Sequence, residues 1–253
     1  MSPRALNEQD QETREQRILD VALDIMQSET VAGLTIDKVT ARVPFSKGTI
    51  YNHFTCKEDM ITGVCNLSMQ LLDDLFARAL TFAGNGRERM LAQHYAYLLY
   101  ARLHPVRFLL VVSAKTPAVM EKTSERRLEQ LRALDESIFG KVLTVVEQAI
   151  REGDLILPDH LDPRQVTFAN WASSFGTISL LHGHYGDTTC RDGLQLEREL
   201  FNNINIVLDG LNWRPLSSDS NYRQTIARIE KELFAEELQS VATLNHQPGV
   251  LSS

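Results

Sequence analysis

Thr35 to Asp59 reads TIDKVTARVPFSKGTIYNHFTCKED. Thr35 stands where a side-chain oxygen caps the free amides at the start of a helix, and Ile36-Asp37-Lys38-Val39 follow it. Pro44 stops that helix, because proline has no amide hydrogen and restricts the residue before it. Ser46 offers a second cap for a short helix from Lys47 to His53, with Ile50 and Phe54 on its core side. Two short helices joined by a tight turn, braced by a helix on either side, present the second helix to the DNA major groove.

Local charge agrees with that reading. Between Ile36 and Lys57, the bases Lys38, Arg42, Lys47 and Lys57 face one acid, Asp37, for a net of +3. The 253-residue chain has 26 Lys+Arg against 33 Asp+Glu and a net charge of −7, so −10 falls elsewhere. Spread evenly, −7 would count against a nucleic-acid partner; its distribution does not. Lys47 puts a cation where helix amides and dipole already favour phosphate, and Gly48 lets the backbone come close. Thr49, Tyr51 and Asn52 supply hydrogen-bonding groups, and His53 and Lys57 are placed to touch phosphates.

Thr35-Ile36-Asp37-Lys38-Val39, the string SKGTIYNHF at 46–54 and Cys56-Lys57-Glu58-Asp59 resemble the DNA-binding signature of TetR-type (TetR/AcrR) transcriptional regulators, over about Thr13 to Val64. The resemblance implies an N-terminal helix-turn-helix domain, a divergent all-α ligand-binding domain and a dimer bundle made by its last two helices. It also implies that the residues matching Ser46, Lys47, Thr49, Tyr51, His53 and Lys57 mostly touch phosphates, with a few bases read between them. Candidate DNA-binding residues are therefore Thr35, Ser46, Lys47, Gly48, Thr49, Tyr51, Asn52, His53 and Lys57. Two positions depart from the pattern: Thr40 replaces an alanine of the helix contact, and Pro44 replaces the turn glycine. Proline cannot take the left-handed conformation. That leaves open a second reading, a helical module that binds a small molecule or a protein and no longer reads DNA.

Helical periodicity extends along the chain, and no segment has the short, β-branched look of a strand. The expectation is an all-α fold of about nine helices with an extra C-terminal helix. It divides into an arm (1–12), the helix-turn-helix domain (13–57), a ligand-binding and dimerisation bundle (58–217) and an extension (218–253). A capping box is expected at Thr55 and Glu58, another at Asp162 and Gln165, and one helix from Tyr222 to Leu238. No apolar run approaches the roughly 18 residues of a membrane span. Met1 to Glu12 has no apolar secretory core, and Cys56, Cys65 and Cys190 form no CxxC pair; a cytoplasmic chain without a membrane partner is expected.

In the bundle, Tyr97, Tyr100, Phe108, Trp171 and Phe175 are candidate walls of a largely apolar effector pocket, with Arg102 and His104 as polar anchors. Ala169, Ala172, Ser173 and Gly176 form a small-residue helix face which, with Leu200, Ile204 and Val207, suggests a homodimer interface. A two-fold dimer would read a palindromic double-stranded operator. His182-Gly183-His184 near Cys190 is a weak metal signal, and neither a metal site nor a cofactor is expected. GxSxG and HExxH motifs and phosphate-binding loops are missing, so no enzyme is expected.

Overall fold

Helix starts fall where capping side chains stand. The computed structural model describes residues 8–181 and 191–245, and every regular element among them is helical. Thr35 accepts from the Lys38 amide at 3.2 Å at the head of α2 (Ile36–Arg42), and Ser46 from the Thr49 amide at 3.1 Å at the head of α3 (Lys47–His53). Asp162 and Gln165 form the expected reciprocal pair ahead of α9 (Pro163–Leu181).

The chain forms two compact units. The first holds the residues up to Gln70 together with Val106–Asp135. In it lie α1 (Glu8–Gly33), α2, α3, the first part of α4 (Lys57–Ala79), nearly all of α6 (Pro105–Ala114), the single turn α7 (Pro117–Met120) and the start of α8 (Glu125–Glu152). Its core includes Ile18, Ala22, Ile25, Leu34, Val39, Ile50 and Phe54. Pro117 stands at the first position of α7, where its missing amide costs nothing. The expected box at Thr55 and Glu58 is displaced by one residue. Cys56 Sγ receives the Asp59 amide at 3.4 Å and Asp59 receives the Thr55 amide at 3.1 Å, while Glu58 pairs with Lys122 at 3.0 Å.

The second unit holds Leu71–Pro105 and the residues from Glu136 onward. Its centre is α5 (Gly86–Leu103), opened by an Asn85–Glu88 capping box and buried on nearly every face, the mark of a core helix. Around it pack α9, α10 (Leu196–Gly210), α11 (Tyr222–Leu233) and α12 (Ala235–Asn245). The C-terminal helix expected as one piece is two, broken at Phe234, whose buried ring stacks on Tyr95 at 5.8 Å.

Candidate nucleic-acid interface

Helix α3 lies at the surface with Ile50 and Phe54 turned inward and fully buried. Ser46, Lys47, Gly48 and Asn52 are exposed, Thr49 is half-buried, and Tyr51 is 49% exposed although it is an aromatic. Thr35 is exposed at the head of α2. Both departures from the resemblance are accommodated locally. Val43 takes an extended conformation, as the residue before proline must, and no residue from 43 to 46 has positive φ. The Thr40 hydroxyl is satisfied within its own helix, donating to the Ile36 carbonyl at 2.8 Å.

The cations around α3 are held by neighbours. Lys47 pairs with Asp37 at 2.5 Å, and that hydrogen bond raises the Lys47 ammonium above its ordinary pKa. Glu29 holds Lys38 and, at 3.4 Å, Arg42; the Lys38 hydrogen bond keeps its carboxyl below the usual range. Thr30, at φ +72°, interrupts the last turn of α1. The carbonyls freed there are taken up by lysines: Lys57 donates to Ala32 O at 3.1 Å and Lys38 to Gly33 O at 3.0 Å. His53 differs from its neighbours on α3. It is half-buried, with Nδ1 3.5 Å from Glu15 Oε2, so its first partner is that carboxylate.

Behind the C-terminal end of α3 is a buried charge cluster that the sequence pattern does not announce. Arg127 donates to Glu15 Oε1 at 2.9 Å and to the His53 carbonyl at 3.2 Å, with its guanidinium 4.4 Å from the Phe54 ring centroid. Asp59 accepts from the Ser124 hydroxyl at 2.7 Å and the Ser124 amide at 3.0 Å. Burial pushes the Asp59 pKa up, but these bonds and Arg127 bring it below the ordinary value. A cleft of about 780 Å³ opens beside the cluster, lined among others by Glu15, Tyr51, His53, Asn66 and Arg127.

The second unit distributes the candidate pocket residues differently from the sequence expectation. Tyr97 and Tyr100 are buried on α5, while Trp171 is 48% exposed on α9 and forms an aromatic row with Phe168 and Phe175. Trp171 also shares a side-chain hydrogen bond with the buried Tyr97, so its half-exposed ring reaches inward to α5. Arg102 is ion-paired with Glu197 at 2.9 Å and the His104 ring lies 5.8 Å from that of Tyr100. Phe108 is buried but belongs to the first unit.

Polar groups that the sequence reading missed lie between α5 and α9. Asn170 donates to the Val166 carbonyl at 2.9 Å, which turns its oxygen to His94 Nε2 at 3.1 Å; Nε2 then carries the proton and Nδ1 accepts from the Ser174 hydroxyl at 2.5 Å. Burial pushes the His94 pKa down to about 4. Serine, histidine and asparagine in this series match a hydrolytic triad in type. Ser174, however, is 1% exposed, so no scissile bond can reach its oxygen. A signal was available: His94 stands among the apolar residues of 90–101, and Asn170 and Ser174 are four residues apart.

Of the proposed dimer residues, Ala169, Ser173, Gly176 and Val207 are half-buried and Ala172 is exposed. Leu200 and Ile204 are not available to a partner, because both are fully buried on α10, which packs against α9 and α5 of the same chain. The exposed apolar side chains are instead Phe168, Trp171 and Leu180 on α9 and Ile206 on α10. His182, His184 and Cys190 lie outside the described residues. Among the described residues no group of His, Cys, Asp or Glu is arranged to hold a metal, and no helix is long and apolar enough to cross a membrane.

Two capped helices, an extended turn and a second helix exposed on its outer face form a helix-turn-helix motif. Residues 18–64, which hold the helix-turn-helix, match the family model described as bacterial regulatory proteins, tetR family. Solved structures with the same fold include the TetR family transcriptional regulator PfmR from Thermus thermophilus, at 16% identity and TM-score 0.58 over 77% of this chain and 98% of that one. FadR from Bacillus subtilis, in complex with stearoyl-CoA, is similar at 11% identity and TM-score 0.58 over 77% and 98%. The ketosteroid transcriptional regulator KstR2 of Mycobacterium tuberculosis is similar at 16% and 0.55 over 78% and 94%. No curated protein matches the chain in sequence.

Proposed function

We propose that the chain is a homodimeric transcriptional repressor that binds a palindromic operator and releases it when a small, largely apolar effector occupies the second unit. The observation that carries the DNA reading is the outer face of α3, where Lys47, Gly48, Tyr51 and Asn52 are presented to solvent over a buried Ile50 and Phe54. Dimerisation is supported by the uncovered apolar arc of α9 and by Ile206, a patch that a monomer rarely leaves to water. A two-fold axis would set two α3 helices about one DNA turn apart. For the effector, support comes from the aromatic and aliphatic side chains that α5 contributes to the second unit, Tyr97 and Tyr100 among them, and from the stearoyl-CoA bound by the similar FadR. The effector acts only through a difference in affinity between the DNA-binding and DNA-releasing states.

The test begins with duplexes that the full-length protein selects from a random pool. Gel shift on the recovered site should show weaker binding for Lys47→Ala and Tyr51→Ala, and the Lys47 change should reduce the salt slope by about one phosphate contact. Unchanged affinity in both variants would overturn the reading.

A further inference from the structure

We propose that Arg127 is a positioning residue for DNA binding, setting where the C-terminal end of α3 stands; this rests on the function proposed above. Arg127 is the third residue of α8, is 1% exposed, and touches three other helices within the first unit. Toward α1, Nη2 donates to Glu15 Oε1 at 2.9 Å. The same nitrogen donates at 3.2 Å to the carbonyl of His53, the last residue of α3, where a helix leaves its carbonyls without internal partners. Toward α4, Nε stands 3.7 Å from Asp59 Oδ1, and the Arg127 carbonyl accepts from Asn66 Nδ2 at 3.1 Å. The flat guanidinium covers the Phe54 ring at 4.4 Å.

The seat is shaped for this group. A Cβ at Gly63 would come within 3.2 Å of Arg127 Nε, 3.2 Å of the Phe54 ring and 2.8 Å of Leu19 Cδ2, so the bare backbone of α4 here lets the guanidinium, the ring and Leu19 keep their places. A planar fork can serve a carboxylate, a carbonyl and an aromatic face together; an ammonium cannot. The hydrogen bonds and ion pairs of Arg127 go to Glu15, Asp59 and the His53 carbonyl, not to the exposed side chains of α3. Its effect on DNA is through the helix they stand on.

Arg127→Lys and Arg127→Met, made in the full-length protein, would be measured by fluorescence anisotropy on a duplex selected by the wild type. The expected result is binding weaker by about 3- to 30-fold with an unchanged salt slope, since no phosphate contact is removed. Amide exchange at Ile50 and Phe54 should quicken while that of α5 stays as in the wild type. Wild-type affinity in both variants, or faster exchange spread evenly through both units, would overturn the proposal. If Arg127→Met does not fold, Arg127→Lys and Glu15→Gln decide: both should weaken binding, and unaltered binding in both would overturn it. A wild type that recovers no duplex would defeat the functional reading and this inference together, whereas a binding wild type with unaffected variants defeats this inference alone.

Discussion

His94 is buried, and its two ring nitrogens are occupied by Asn170 and Ser174. Folding keeps it neutral down to about pH 4, whereas in the unfolded chain it takes a proton near its ordinary value of 6.5. Over that window the unfolded state binds the proton that the fold refuses, so stability should fall as pH drops from about 6.5 toward 4 and be unaffected by His94 above it. The slope from this one group is at most about 1.4 kcal/mol per pH unit. Urea midpoints measured across the window should be flatter with pH for His94→Gln than for the wild type. Parallel curves would mean that the buried imidazole is charged. Such a residue shows how little a polar letter in a buried helix reveals until its partners, 76 and 80 positions away, are known.

Short helices depend on their ends. Because α3 has only seven residues, loss of the Ser46 cap should cost about 1 kcal/mol and loosen the turn that carries Lys47 and Thr49. Ser46→Ala should therefore lower the unfolding temperature and weaken operator binding together; weaker binding at unchanged stability would mark Ser46 as a DNA contact alone. Elements governed by local signals of this kind were legible in the sequence: α2 and α3 begin and end where Thr35, Pro44 and Ser46 predict, and α9 where Asp162-Pro163 predicts. What depends on distant packing was not. The break between α11 and α12 follows from Phe234 being drawn onto Tyr95, and the Arg127–Glu15 pair joins residues 112 positions apart. The apolar stripe of α10 was visible, but a stripe does not say whether it meets its own chain or another; Leu200 and Ile204 meet their own.

At the scale of the whole molecule, the C-terminal extension is part of the second unit's core. Ile226, Ile229 and Phe234 are buried, Tyr95 donates to Glu230 at 2.9 Å, and Arg78 holds the Leu233 carbonyl at 2.5 Å. Phe234→Ala should cost about 3–5 kcal/mol by thermal or urea unfolding, and a loss below about 1 kcal/mol would mean the ring is dispensable. Assembly has its own test. Trp171→Glu places a charge on the apolar arc of α9, and sedimentation should show a shift toward monomer with DNA affinity falling alongside it. The pairing of Lys47 with Asp37 bears on how such a protein would travel along a chromosome. On the proposed function, a phosphate that engages Lys47 competes with Asp37 for its three donors on every stretch of DNA alike, at a small cost because both side chains are exposed. Such competition would weaken non-specific contacts slightly and leave the advantage to a site whose bases offset it.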